Sequence, residues 1–148
     1  MLNVQESPIA DKRKSIKISV AAARILLVED SYTNRLMFDD YLIYCGYQVL
    51  DLANGSGFFR ALADFHPHLI LLDLKLPDID GYTLLEQKQQ SNWRHIPVIA
   101  VSAFAFKADE RRARSLGAIQ YLVKSVNLDE LQQAIQEVLL DYIDQDLA

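Results

Sequence analysis

Four short apolar runs, each closed by a polar residue, constrain this chain most. Ile25–Val28 ends in Glu29 and Asp30, Leu69–Leu72 in Asp73, Val98–Val101 in Ser102, and Tyr121–Val123 in Lys124. Runs of this length without polar alternation suit strands buried on both faces, as in a parallel sheet covered by helices. Tyr47–Leu52 is less apolar, carrying Gln48 and Asp51, and fits an edge strand. Helical spacing fills the gaps. Phe38, Tyr41, Leu42 and Cys45 recur at i, i+3, i+4 and i+7, with Gly46 as a stop. Phe58, Leu62 and Phe65 form a second stripe before Pro67, and Tyr82, Leu84 and Leu85 begin a third helix after Gly81. A fourth runs over about 107–116, stopped by Gly117, and a fifth carries Leu128, Leu131, Ile135, Val138 and Tyr142 behind an Asn127 cap. Five strands alternating with five helices predict an α/β doubly wound domain.

Composition removes several classes of function. With 15 basic and 20 acidic side chains the chain carries −5, which argues against a binder that relies on a basic surface for nucleic acid. The single cysteine, Cys45, can form neither an internal disulfide nor a cysteine-based zinc site. The longest uncharged apolar stretch, Ile96–Phe106, is 11 residues long, well short of the roughly 20 that span a bilayer. The start lacks the pattern of a signal peptide. These features predict a cytoplasmic domain without membrane contact. Residues 1–23 differ from the rest: Lys12, Arg13, Lys14 and Lys17 stand against Glu6 and Asp11. They read as a flexible leader, and four basic residues carry only a weak case for a binding arm. The domain itself is expected over 24–148.

All strands of a parallel sheet point the same way, so the polar endings share one edge, where open α/β sheets bind ligands. Clustered carboxylates raise one another's pKa. A hard dication such as Mg²⁺ relieves that repulsion and keeps coordination positions for phosphoryl oxygens. A lysine ammonium and a serine hydroxyl can hold two more such oxygens. The pattern predicts a phosphoryl site beside Mg²⁺, with Asp73 as the nucleophile that forms an acyl phosphate. His66, His68 and His95 read as surface residues, and Cys45 as a small core residue.

Residues 24 to about 140 resemble the receiver domain of two-component response regulators. The matching stretches are Ile25-Leu-Leu-Val-Glu-Asp30, Leu69-Ile-Leu-Leu-Asp73 with Leu76-Pro77 and Asp80-Gly81, Ile96-Pro-Val-Ile-Ala-Val-Ser102-Ala103, and Gly117-Ala118 leading to Tyr121-Leu-Val-Lys124. The resemblance implies a flavodoxin-like fold with strand order 2-1-3-4-5. It implies that Asp73 accepts a phosphoryl group from a histidine kinase or histidine phosphotransfer protein. Asp30 would bind Mg²⁺ directly, Glu29 would be an outer acid, and the backbone carbonyl of Lys75 would complete the protein ligands. Ser102 and Lys124 would hold the phosphoryl group, and Tyr121 would be an aromatic switch that follows Ser102. The chain would be no enzyme beyond catalysing its own phosphotransfer and dephosphorylation. Output is expected through the face formed by the fourth helix, fifth strand and fifth helix, toward an effector protein or a second copy of the chain. Phe104, Phe106, Lys107, Arg111 and Arg114 belong to that face.

Two departures stand out. Ser125 follows the lysine where the family usually has a cis proline; a trans bond there would displace the loop and aim Lys124 less firmly. Lys75 places a cation beside the acceptor and bears on phosphoryl lifetime. Ser125 also motivates an alternative, a pseudo-receiver that binds a partner without phosphorylation. An aspartyl-phosphate phosphatase is disfavoured, because such enzymes need an acid two residues after the nucleophile, and this chain has Lys75.

Overall fold

The structure, a computed structural model, describes residues 23–147, with side chains described through Asp141. The leader expected over 1–23 therefore lies almost wholly outside the described residues, as does the side chain of Tyr142. Five strands and five helices alternate: β1 Arg24–Val28, α1 Tyr32–Tyr44, β2 Gln48–Leu52, α2 Phe58–Phe65, β3 Leu69–Asp73, α3 Gly81–Gln89, β4 Val98–Ser102, α4 Lys107–Ser115, β5 Ala118–Val123 and α5 Leu128–Leu147. The sheet is parallel throughout, in the order β2-β1-β3-β4-β5. Both expectations for the architecture hold.

The strand alternation divides the core in two. Ile25, Leu27, Leu69, Leu71, Ile99, Val101 and Leu122 pack with Phe38 and Leu42 of α1 and Leu131, Ile135 and Val138 of α5. Leu26, Val28, Ile70, Leu72, Val98, Ala100 and Tyr121 face the other way, against α2, α3 and α4. The middle strands β3 and β4 are buried at every position, whereas β2 is partly open, as its polar composition predicts. Cys45 is half-buried and packs against the α1/α5 side of the core.

Local signals set the helix ends. Gly46, at φ 98°, turns the chain out of α1 and into β2. Gly117, at φ 107°, does the same between α4 and β5. Asn127 Oδ1 accepts from the Asp129 and Glu130 amides at 2.8 and 3.2 Å, the expected cap of α5. β5 begins at Ala118, three residues before the apolar run does; the exposed Ile119 and the polar Gln120 hide its first residues from that pattern. Two histidines behave as surface residues: His66 is exposed where α2 ends in a left-handed turn, and His95 is exposed. His68 does not: it is half-buried, and its Nδ1 accepts the Arg24 amide at 2.9 Å, tying the start of β1 to the start of β3.

Candidate functional site

The acid pair sits where β1 runs out. Glu29 continues the ladder by one bond, its amide donating to the Leu52 carbonyl at 3.0 Å, and the chain then leaves the sheet. Glu29 is buried and Asp30 exposed. Ser31 turns the chain into α1: its Oγ accepts the Asn34 amide at 3.3 Å as N-cap, while its own amide donates to Glu29 Oε2 at 3.1 Å. Arg35, one turn into α1, reaches back so that Nη1 donates to the Glu29 carbonyl at 2.8 Å and the Asp30 carbonyl at 3.4 Å.

Asp73 ends β3 in the middle of the sheet and is only 3% exposed. Its Oδ1 accepts the Lys75 amide at 3.0 Å, and its Oδ2 accepts Lys124 Nζ at 2.9 Å. Lys124 follows β5, and the same ammonium lies 2.9 Å from Glu29 Oε1 and 3.2 Å from Oε2. Glu29 Oε1 nonetheless receives no well-directed hydrogen bond, although it is buried. The Lys124–Ser125 peptide is cis. The expectation of a displaced loop is therefore overturned: two carboxylates draw the ammonium to the site, and Lys124 is aimed at Asp73.

The electrostatics follow from burial and proximity. Burial pushes the Asp73 carboxyl up to about 7, and the Glu29 charge adds to it. Lys124 and the Lys75 amide oppose the rise. Burial also pushes Asp30 up, but hydrogen bonding with Asp73 and Glu29, and the Lys124 charge, hold it below the ordinary carboxylate value. Burial alone would lower Lys124; its hydrogen bonds to Glu29 and Asp73 raise it instead. Glu29, Asp30 and Asp73 each offer a carboxylate oxygen, all within 4.8 Å of one another. One ammonium cannot balance three carboxylates. This oxygen-only set, with an unsatisfied buried oxygen, fits a hard dication such as Mg²⁺.

Ser102 ends β4, fully buried. Its Oγ accepts the Phe104 amide at 3.0 Å, and Tyr121 donates to the carbonyl of that same residue at 2.7 Å. Phe104 thus couples the serine to the tyrosine. Tyr121 points inward, 9% exposed, and its hydroxyl also meets that of Tyr82 in the first turn of α3. Tyr82 in turn donates to the Asp109 carbonyl at 3.3 Å and lies under the Arg112 guanidinium, 4.1 Å from the ring centre. Burial, then Tyr121, pushes the Tyr82 hydroxyl up to about 12.

All five strand-end residues named from the sequence come together at this edge, with the Lys75 backbone beside Asp73. Sequence reasoning missed Ser31, Arg35 and Tyr82. Ser31 carried a cap signal ahead of a helical stripe. Tyr82 read as an apolar position at the start of α3. Arg35 left no signal, since an arginine on a helix surface is ordinary.

Comparison with known proteins places this geometry. The response regulator receiver domain profile matches residues 25–136. The polar-differentiation response regulator DivK of Brucella ovis is 35% identical over 118 residues, covering 79% of this chain and 96% of that protein. A CheY-like receiver domain from Methanospirillum hungatei superposes with a TM-score of 0.78 at 27% identity, over 84% of this chain and 98% of the other. The receiver domain of a sensor histidine kinase from Pseudomonas aeruginosa, solved with a magnesium ion in its active-site cleft, gives a TM-score of 0.73 at 32% identity. It covers 80% of this chain and 98% of its own. By sequence, by strand order and by the charged residues at the sheet edge, the chain belongs to the response regulator receiver domain family of two-component signalling.

Proposed function

We propose that the chain accepts a phosphoryl group on Asp73 with the help of Mg²⁺ and passes the signal on by protein–protein contact. The observation that carries this is the buried Asp73 carboxylate held between Lys124 and a second pair of acids at the end of the sheet. In the transfer, an Asp73 oxygen attacks phosphorus in line, a new P–O bond forms, and the bond to the donor breaks. Lys124 stands within reach of a phosphoryl oxygen on Asp73, and Ser102 lies on the neighbouring strand. Asp30 and Asp73, with the Lys75 carbonyl, would hold the metal, and Glu29 would support it from behind. Bound there, Mg²⁺ would neutralise charge on the transferring group.

The donor is a histidine kinase or a histidine phosphotransfer protein, as befits the family. The chain is not an enzyme in the usual sense; it acts only on its own phosphorylation and dephosphorylation. Lys75, exposed two residues after the acceptor, sets a cation at the rim of the site and tunes the lifetime of the product. The α4–β5–α5 face supplies the output surface. Phe106 is 79% exposed at the start of α4, and Ile119 and Val123 on β5 are also exposed. The Ser102–Phe104–Tyr121 linkage joins the end of β4, the strand next to Asp73, to β5 on that face. Its place of work is the cytoplasm, as befits the family; among the described residues no helix is long and apolar enough to cross a membrane. The pseudo-receiver alternative is motivated by Ser125; the contact of Lys124 with Asp73 favours the phospho-acceptor reading.

Labelling with acetyl phosphate and Mg²⁺, read by intact mass, tests this reading. The wild-type chain gains one phosphoryl group; Asp73→Asn gains none, and chelating the metal stops the reaction. Undiminished labelling of Asp73→Asn would sink the assignment.

A further inference from the structure

We propose that Arg35 is a positioning residue for the metal: it clamps the backbone of Glu29 and Asp30 and so aims their carboxylates. The inference rests on the reading of this edge as a Mg²⁺ site. After the Glu29 amide bonds to Leu52, the sheet gives this segment no further support, yet both acids must point into a cleft only a few ångströms across. Arg35 supplies the missing anchor. Its Nη1 donates to the Glu29 carbonyl at 2.8 Å and, more weakly, to the Asp30 carbonyl at 3.4 Å. The guanidinium is itself held in place. It lies over the Tyr32 ring, 5.7 Å from its centre, and its charge is felt by the Asp39 carboxyl one turn along α1. The Ser31 cap fixes the start of that helix, so helix and acid loop are tied at two points.

The choice of acceptor matters. These hydrogen bonds from Arg35 go to main-chain carbonyls, while Lys124 is the cation paired with the site carboxylates. The carboxylate oxygens remain available to a dication, and the backbone beneath them is fixed. Groups that orient metal ligands in this indirect way typically contribute 10–100-fold in metal affinity.

Charge and clamp predict opposite signs, which makes the inference easy to break. A positive charge near the site repels Mg²⁺, so if Arg35 acted only through its charge, removing it would tighten binding. If it acts as a clamp, removing it loosens binding. Mg²⁺ alone would be titrated into the full chain by calorimetry, at fixed pH and ionic strength, alongside urea unfolding of each variant. We expect Arg35→Met to weaken Mg²⁺ binding about tenfold. Arg35→Lys, which keeps the charge and one donor, should fall between Arg35→Met and wild type. It carries the test if Arg35→Met does not fold. Arg35→Met binding Mg²⁺ as tightly as wild type, or tighter, overturns the clamp. So does Arg35→Lys matching wild type when Arg35→Met is unfolded. A wild-type chain that binds no Mg²⁺ overturns the metal reading itself, and the clamp with it.

Discussion

Lys124 and Lys88 are both drawn into the interior, at opposite edges of the sheet, and they are held in opposite ways. Lys124 lies between Glu29 and Asp73, each within 2.9 Å, and these partners raise its pKa despite burial. Lys88, on the face of α3 that also carries Leu84 and Leu85, is only 2% exposed. Its Nζ donates to the Arg94 carbonyl at 3.1 Å, and burial lowers its pKa to about 8. Burial by itself therefore does not mark a working charge. A charge kept inside by opposing charges can serve a site, whereas one kept by a single carbonyl is a load on the fold.

The largest test of that contrast is Lys124→Met. Two buried acids then face each other without a cation, and we expect a loss of about 3 kcal/mol, the low end for breaking a buried pair. Urea unfolding in chelator at pH 8 would measure it, and added Mg²⁺ should restore part of the loss. No loss in chelator would mean that the pair contributes nothing to the fold.

Lys88→Met should move stability the other way, upward by about 1–2 kcal/mol at pH 7. The pH profile carries a signature. Between about 8 and the ordinary lysine value of 10.5, the unfolded chain holds a proton that the folded chain has released, so wild-type stability rises with pH in that window. The methionine variant should be flatter there. A variant less stable than wild type at pH 7 would show that the amine earns its place through the Arg94 bond.

The smallest effect concerns acids that lack such a lysine. Asp39 in α1 and Asp51 in β2 share a hydrogen bond; burial, then Asp51, pushes Asp39 up to about 7, only partly offset by Arg35. The folded chain keeps this proton after the unfolded chain has lost it near pH 4, so stability falls as pH rises from about 4 to 7. Asp39→Asn should make that decline shallower by less than about 1 kcal/mol, since the group is partly exposed. Thermal melts across this range, with Mg²⁺ absent, would show it; parallel profiles would place the proton elsewhere.

The sequence discloses what depends on strand endings and hides what depends on reach. Glu29, Asp30, Asp73, Ser102 and Lys124 were legible because one parallel sheet forces the ends of its strands together. The central strands were legible because they are apolar at nearly every position; β5 was misplaced at its start because Ile119 faces out. Arg35 was invisible because its hydrogen bonds go to carbonyls, which every residue has. Lys88 had a signal that could have been used: it falls four and three residues after Leu84 and Leu85, on their face. Its helix position was apolar by period, and only its residue type said otherwise.

Gly81 gives the loop after Asp73 an unusual property. Its amide donates to the Leu74 carbonyl at 2.9 Å, Lys75 pairs with Asp80, and a Cβ on Gly81 would collide with the Leu74 backbone. The loop is therefore a closed staple: main chain rests directly on main chain at its base. Leu76, Pro77, Asp78 and Ile79 form the bow of that staple, and its ends are set without them, although Asp78 also ties the bow to the Gly55 amide. Leu76 and Ile79 pack against the core, so a change at the exposed Pro77 can alter the rim of the cleft while Asp73 beneath keeps its place. The rim of the loop and its base are, in that sense, separately inheritable.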